Sequence, residues 1–158
     1  MKCEYLEQVE STRNELKDIK KWINTGSNKF DSKTKHLISY CVVKASGTIE
    51  VIYKHILYDY LVEQAKPETN NYLEKMILDS SSNPNTGNII NMLQNISSKW
   101  KSDFERDVQP PEKSDLNSLV QLRNDFSHGS NLSTSIESVL KFFESGVKVL
   151  KILDKIVV

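Results

Sequence analysis

Near the C-terminal end of the 158-residue chain, Ile136, Leu140, Phe143, Val147 and Leu150 recur at alternating steps of four and three. That spacing lays one apolar stripe along one face of an α-helix and demands an antiparallel helical partner. The same three-and-four recurrence fills the stretches between the chain breakers at 24–28, 65–67, 79–85, 109–111 and 129–131, and no long segment alternates with period two. Gly and Pro together number nine, which excludes collagen-like and Gly/Pro-punctuated all-β chains. Leu, Ile, Val and Phe make up 45 residues, enough to exclude global disorder. The expectation is one all-α domain over 1–158, an antiparallel four- to six-helix bundle.

The pattern predicts a first helix over Cys3–Ile23, with Leu6, Val9, Leu16, Ile19 and Ile23 on one face. A second starts at Asp31 or Ser32 and runs to Gln64, where Pro67 bars further extension. At 1.5 Å per residue it would span about 50 Å. Apolar nearly all round, it reads as the central spine, with Gly47 as the place for a kink. Further helices are expected over 67–78, 87–108 and 112–127, and a last one capped by Thr134 or Ser135.

Charge and composition narrow the function. Twenty-one basic residues balance 21 acidic ones. Zero net charge argues against coating nucleic acid by charge alone, while leaving room for a local basic groove. No apolar run reaches the roughly 18 residues that span a bilayer. The opening Met1-Lys2-Cys3-Glu4-Tyr5-Leu6-Glu7 is mixed and acidic rather than a secretory leader, so the expected compartment is the cytoplasm. Cys3 and Cys41 are too few for a zinc site or a disulfide framework and are expected to be reduced thiols. No phosphate-cradling loop, metalloprotease or hydrolase signature is present, and neither a metal nor a cofactor is expected. Lys99-Trp100-Lys101, with Phe104 and Arg106 nearby, reads as a solvated face over a buried Trp100 more readily than as an RNA-contacting patch.

One residue does not fit a plain bundle. Projected at about 100° per residue with Leu116 as zero, Leu119 falls at about 300°, Val120 at about 40°, Leu122 at about 240° and Phe126 at about 280°. Arg123, one of only three arginines, falls at about 340°, inside the apolar arc. A guanidinium cannot shed its charge, so Arg123 must reach an acid, a polar cleft or a subunit boundary. His128 follows five residues later, directly before Gly129, a natural helix stop. A regular helix puts the two about 140° apart, and an unwound last turn would swing the imidazole toward Arg123. Two readings stay open: Arg123 pairs with a core carboxylate while His128 merely caps the helix, or the two form an anion fork and an acid/base for phosphate chemistry.

Arg123-Asn124-Asp125-Phe126-Ser127-His128, in a small helical chain, resembles the R-x4–6-H signature of the HEPN superfamily. The resemblance implies a helical bundle and a metal-independent endoribonuclease of toxin–antitoxin, abortive-infection or other defence systems. It also implies a composite site shared by two copies of the chain. RNA cleavage without metal needs a base for the 2′-hydroxyl, an acid for the 5′-oxygen and a cation for the phosphorane. One chain offers a single His at the candidate site, because His36 and His55 read as helix-face residues. A two-fold homodimer would supply two copies each of His128 and Arg123.

Two further candidates accompany them. Asn124 either orients the scissile phosphate or is an exposed helix polar. Glu50 resembles the acidic residue of the long second helix in many HEPN proteins; it is either the partner of Arg123 or a surface pair with Lys54 at i+4. The expected partners are an RNA substrate, a second copy and an antitoxin protein. The alternatives are a non-catalytic HEPN-like interaction module and a scaffold whose R-x4-H is accidental.

Overall fold

A computed structural model describes residues 1–63 and 65–157, and the described chain is helical throughout. In order its α-helices are α1 (Cys3–Ile23), α2 (Thr34–Val62), α3 (Pro67–Leu73), α4 (Thr86–Ile96), α5 (Ser98–Asp107), α6 (Pro110–Ser127) and α7 (Ile136–Ile156). The four long helices α1, α2, α6 and α7 make the expected bundle. α2 and α7 pack against each other at its centre, and α1 and α6 flank that pair on opposite sides without touching.

Polar staples set the directions. Arg13 Nε on α1 donates to Glu144 on α7 at 2.6 Å, and Asn24 just past α1 donates to Glu137 at the start of α7. Asp115 on α6 accepts from Lys141 and Ser145 on α7 at 3.0 and 2.8 Å. α1 thus runs antiparallel to α7, and its pairs Tyr5–Asp59 and Thr12–Thr48 set it antiparallel to α2 as well. α2 and α7 are therefore parallel, and α6, which turns back into α7 after Ser127, runs opposite to both. Where α2 and α7 meet, a Cβ on Gly146 would lie 3.0 Å from Ile49 Cδ1, so glycine there permits the close approach. Ile49, Tyr53, Leu57, Leu116, Phe143 and Leu150 are fully enclosed around this contact. The Ile, Leu and Phe side chains among them each contribute about 1.5–3 kcal/mol by leaving water.

Several expected boundaries move for local reasons. Residues 87–108 form two helices rather than one, because Ser97 is extended and its hydroxyl caps Trp100 N–H at the start of α5. The segment expected as a helix over 67–78 ends as α-helix at Leu73 and closes with a π turn over Glu74–Leu78. α2 begins at Thr34, after a 3₁₀ turn over Asn28–Phe30, and Asp31 accepts Lys33 N–H at 2.8 Å in the bend between. It ends at Val62; the expected end at Gln64 lies outside the described residues. α6 starts at Pro110, two residues early, since neither proline needs an intrahelical donor in the first turn.

Two packing expectations are corrected. Leu6 is exposed, and the buried face of α1 is Tyr5, Val9, Thr12, Leu16 and Ile23. α2 is not covered all round: it runs unbroken through Gly47 and leaves Tyr40, Val43 and Val51 exposed between α1 and α6. Trp100 is buried, as expected, and meets Tyr60 edge-on; Phe104 is buried as well. Within the described residues no helix is long and apolar enough to cross a membrane.

Candidate functional site

The site is built on α6. Leu116, Leu119 and Val120 pin the helix to the core, and the face between Leu119 and Leu116 then looks toward α2. Arg123 stands on that face. Its Nη2 lies 3.6 Å from Glu50 Oε2, and its side chain keeps 34% of its surface in solvent. Glu50 also holds Lys54: its Oε1 accepts from Nζ at 2.8 Å. Lys54 is buried and gives a second hydrogen bond to the backbone oxygen of Ser80 at 2.6 Å. Glu50 thus meets both cations, one carboxylate oxygen for each, and its pair with Lys54 is buried rather than on the surface.

The three arginines are not held alike. Arg13 grips Glu144 and Arg106 grips Asp103 and Asp107 through hydrogen bonds of 3.0 Å or less. The Arg123 contact, at 3.6 Å, is an ion pair beyond hydrogen-bond length. Glu50 is already anchored by Lys54, so Arg123 is oriented by a fixed negative charge while its five N–H donors stay uncommitted among the described residues. A guanidinium in that state suits a carboxylate or a phosphodiester group.

His128 ends the helix. The N–H of Gly129 reaches the carbonyl of Phe126 at 3.0 Å, and the N–H of Ser130 reaches that of Asp125 at 2.9 Å. With Gly129 at φ +81° this is a Schellman closure, and α6 stays regular through Ser127. The unwound last turn considered from the sequence is absent. His128 therefore keeps its regular direction, about 140° round the axis from Arg123. It is exposed, and among the described residues its imidazole has no hydrogen-bond partner. Asn124 lies on the same side of α6 as His128, one turn before it, and is half-buried. Within one chain, then, the geometry brings together Arg123 and Glu50, and separately Asn124 and His128.

Sequence reading missed three parts. Lys54 was seen only as a surface partner of Glu50; the loop at Ser80 covers it, which no helical spacing reports. Asp115 is a buried acid tied to α7, legible only as a polar residue near the start of α6. His36, read as a helix-face residue, lines a hollow with Phe126 and Gly129 at the end of α6. Among the described residues no three His, Cys, Asp or Glu side chains gather as metal ligands.

The RiboL-PSP-HEPN family model matches residues 7–158, nearly the whole chain, from within α1 through α7. The protein belongs to the RiboL-PSP-HEPN family. Searches among curated proteins and among solved structures returned no match. Membership accounts for the helical bundle and makes this chain a HEPN domain, a class that is commonly ribonuclease or nucleotide-binding. In this HEPN protein the Arg123–Glu50–Lys54 cluster joins the long second helix to the helix that ends in His128.

Proposed function

We propose that this HEPN protein is a metal-independent endoribonuclease, completed across a homodimer, that serves as a toxin or defence effector restrained by an antitoxin partner. The observation that carries the reading is Arg123: a guanidinium aimed by a fixed carboxylate, one third exposed, with its donors free among the described residues. In the reaction the substrate's 2′-hydroxyl attacks the adjacent phosphorus and the bond to the 5′-oxygen breaks. One His128 takes the hydroxyl proton and a second His128 gives a proton to the leaving oxygen, while Arg123 holds the charge that builds on the phosphorane. Asn124, beside His128, orients the phosphate. Glu50 keeps Arg123 in place and touches no substrate.

Two copies are required because one chain sends Arg123 and His128 to different sides of α6. The surface beside Arg123 suits a second copy: Tyr40, Val43 and Val51 on α2 and Phe126 on α6 are all exposed apolar side chains. An isologous contact through this face would cover them and set the two α6 helices side by side. The test is cleavage of single-stranded RNA in excess chelator, run beside sedimentation analysis. The expected result is a dimer whose activity survives chelation, disappears in His128→Ala, and is lost together with dimerisation in Val43→Glu. Activity that needs a divalent ion, or that persists in His128→Ala, would refute the mechanism.

A second reading, a non-catalytic interaction module, draws on the same divergence and on the absence, among the described residues, of any group hydrogen-bonded to His128. A stable dimer that binds RNA without turnover would favour it.

A further inference from the structure

Charge in this neutral chain is unevenly placed. The stretch 17–36, which spans the end of α1, the 3₁₀ turn and the start of α2, holds six Lys against two Asp, Asp18 and Asp31. Lys21, Lys29, Lys33 and Lys35 are exposed and have no carboxylate within 4 Å among the described residues, whereas Lys20 meets Glu137 at 3.7 Å. Asp31 is engaged by the Lys33 backbone N–H. Two exposed aromatics stand among these cations: Phe30, 79% exposed with Lys29 Nζ 4.9 Å from its ring centre, and Trp22.

This end is also where α6 stops. A hollow of about 260 Å³ lies between Lys35, His36 and Ser39 of α2 and Phe126 and Gly129 at the close of α6. A second hollow, about 220 Å³, takes in Lys29, Ser32 and the carboxylate of Asp31, and shares Lys35 and Leu132 with the first. Through those shared residues the two hollows adjoin, one reaching Lys29 and the other the residues on either side of His128.

We propose that this lysine-rich end is a single-stranded RNA track, with Lys29, Lys33 and Lys35 on successive phosphates, Phe30 stacking a base, and His36 at the point where the strand reaches α6. Spaced cations with interleaved aromatic rings are what backbone-tracking, sequence-tolerant binding of a flexible strand requires. A duplex would present its bases to no ring. The inference rests on the ribonuclease reading for the strand's direction toward His128, but not for its binding.

The test uses the full chain carrying His128→Ala, so that turnover does not consume the probe, and a fluorescein-labelled 12-nucleotide oligouridine followed by anisotropy. Replacing Lys29, Lys33 and Lys35 together by Ala should raise Kd at least tenfold at low salt. It should also flatten the dependence of log Kd on log salt by about 2, since each single-strand phosphate contact contributes about 0.7. Phe30→Ala should weaken binding about tenfold with the salt slope unchanged. A Lys151→Ala/Lys155→Ala control, at the far end of α7, should bind as its parent does.

The proposal falls if the triple variant keeps Kd and slope, or if the control loses as much. It falls as well if polyglutamate at matched charge displaces the RNA and binds as tightly, which would mark the patch as a seat for an acidic protein segment. Wild-type cleavage assayed alongside separates the two claims. Lysine-dependent binding with no cleavage leaves the track standing and removes the nuclease. Cleavage by a chain whose binding ignores these lysines does the reverse.

Discussion

At the end of the bundle where α1 begins and α2 and α7 finish, Lys2 Nζ meets Asp59 at 2.6 Å, Tyr5 donates to the same carboxylate, and the terminal amine of Met1 meets Asp154. At the opposite end Lys21, Lys29, Lys33 and Lys35 have no such mates among the described residues. The first end ties three helices together with its own charges. The second leaves its charges facing outward, beside the closure of α6. Between them lies the Arg123–Glu50–Lys54 cluster, in which one acid serves two cations and only the buried one is fully satisfied. Complete internal pairing marks a charge that holds the fold, and incomplete pairing beside a hollow marks one left for another molecule.

The strongest way to break this contrast is at the partly committed residues. Arg123→Ala should reduce the initial rate of RNA cleavage by about 10² or more, measured in chelator, without moving the urea midpoint by more than about 0.5 kcal/mol equivalent. An unfolded or markedly destabilised Arg123→Ala would put this arginine with the structural pairs instead. Next in size is Glu50→Ala, which strands the buried Lys54 with the Ser80 carbonyl alone. It should cost about 3 kcal/mol in urea unfolding, against much less for Glu50→Gln, which still offers Lys54 an oxygen.

The paired end should show its role in acid. Burial alone would push the Asp59 carboxyl up, but hydrogen bonds from Lys2 and Tyr5, with the charges of Lys2 and His55, outweigh it and hold its pKa below the usual carboxylate value. A depressed folded pKa stabilises the ionised fold above the unfolded value near 4, and that stability is lost as pH falls below it. Asp59→Asn should therefore lower stability by about 1.5 kcal/mol at pH 7 and flatten the loss between pH 5 and pH 3, as read by unfolding at each pH. An unchanged pH profile would show that this cluster is ornamental. The smallest effect is expected at the other end: the Lys29/Lys33/Lys35 triple alanine should change stability by less than about 0.5 kcal/mol in the same assay. A larger loss would mean these lysines serve the fold after all.

The two thiols give an independent check on the core. Cys41 is fully enclosed, and burial raises its thiol to about 11, while Cys3 is exposed on the first turn of α1. One cysteine per folded chain should react with iodoacetamide at pH 8, and both after unfolding.

Much of this was legible in the sequence. Periodicity and breakers define a helical chain with long helices over 3–23, 31–64 and 112–127 and a long last one, because an apolar stripe is a local property of spacing. The break at Ser97 was not, since its cap competes with a helix on nearly equal terms and packing of Trp100 and Phe104 decides the outcome. The inward direction of Arg123 was also legible, as an angle on α6. Whether an acid met it was not, because Glu50 lies more than seventy residues away on another helix.

Alone, the order of residues determined the helices, the stripes that had to be buried and the one charge that spoiled a stripe. Those follow from backbone geometry repeated every 3.6 residues. Only the packed bundle decided that Glu50 would serve Arg123 and Lys54 together, and that lysines scattered over 17–36 would gather beside the end of α6. Distance between side chains on different helices depends on how those helices cross, and no local pattern carries that information.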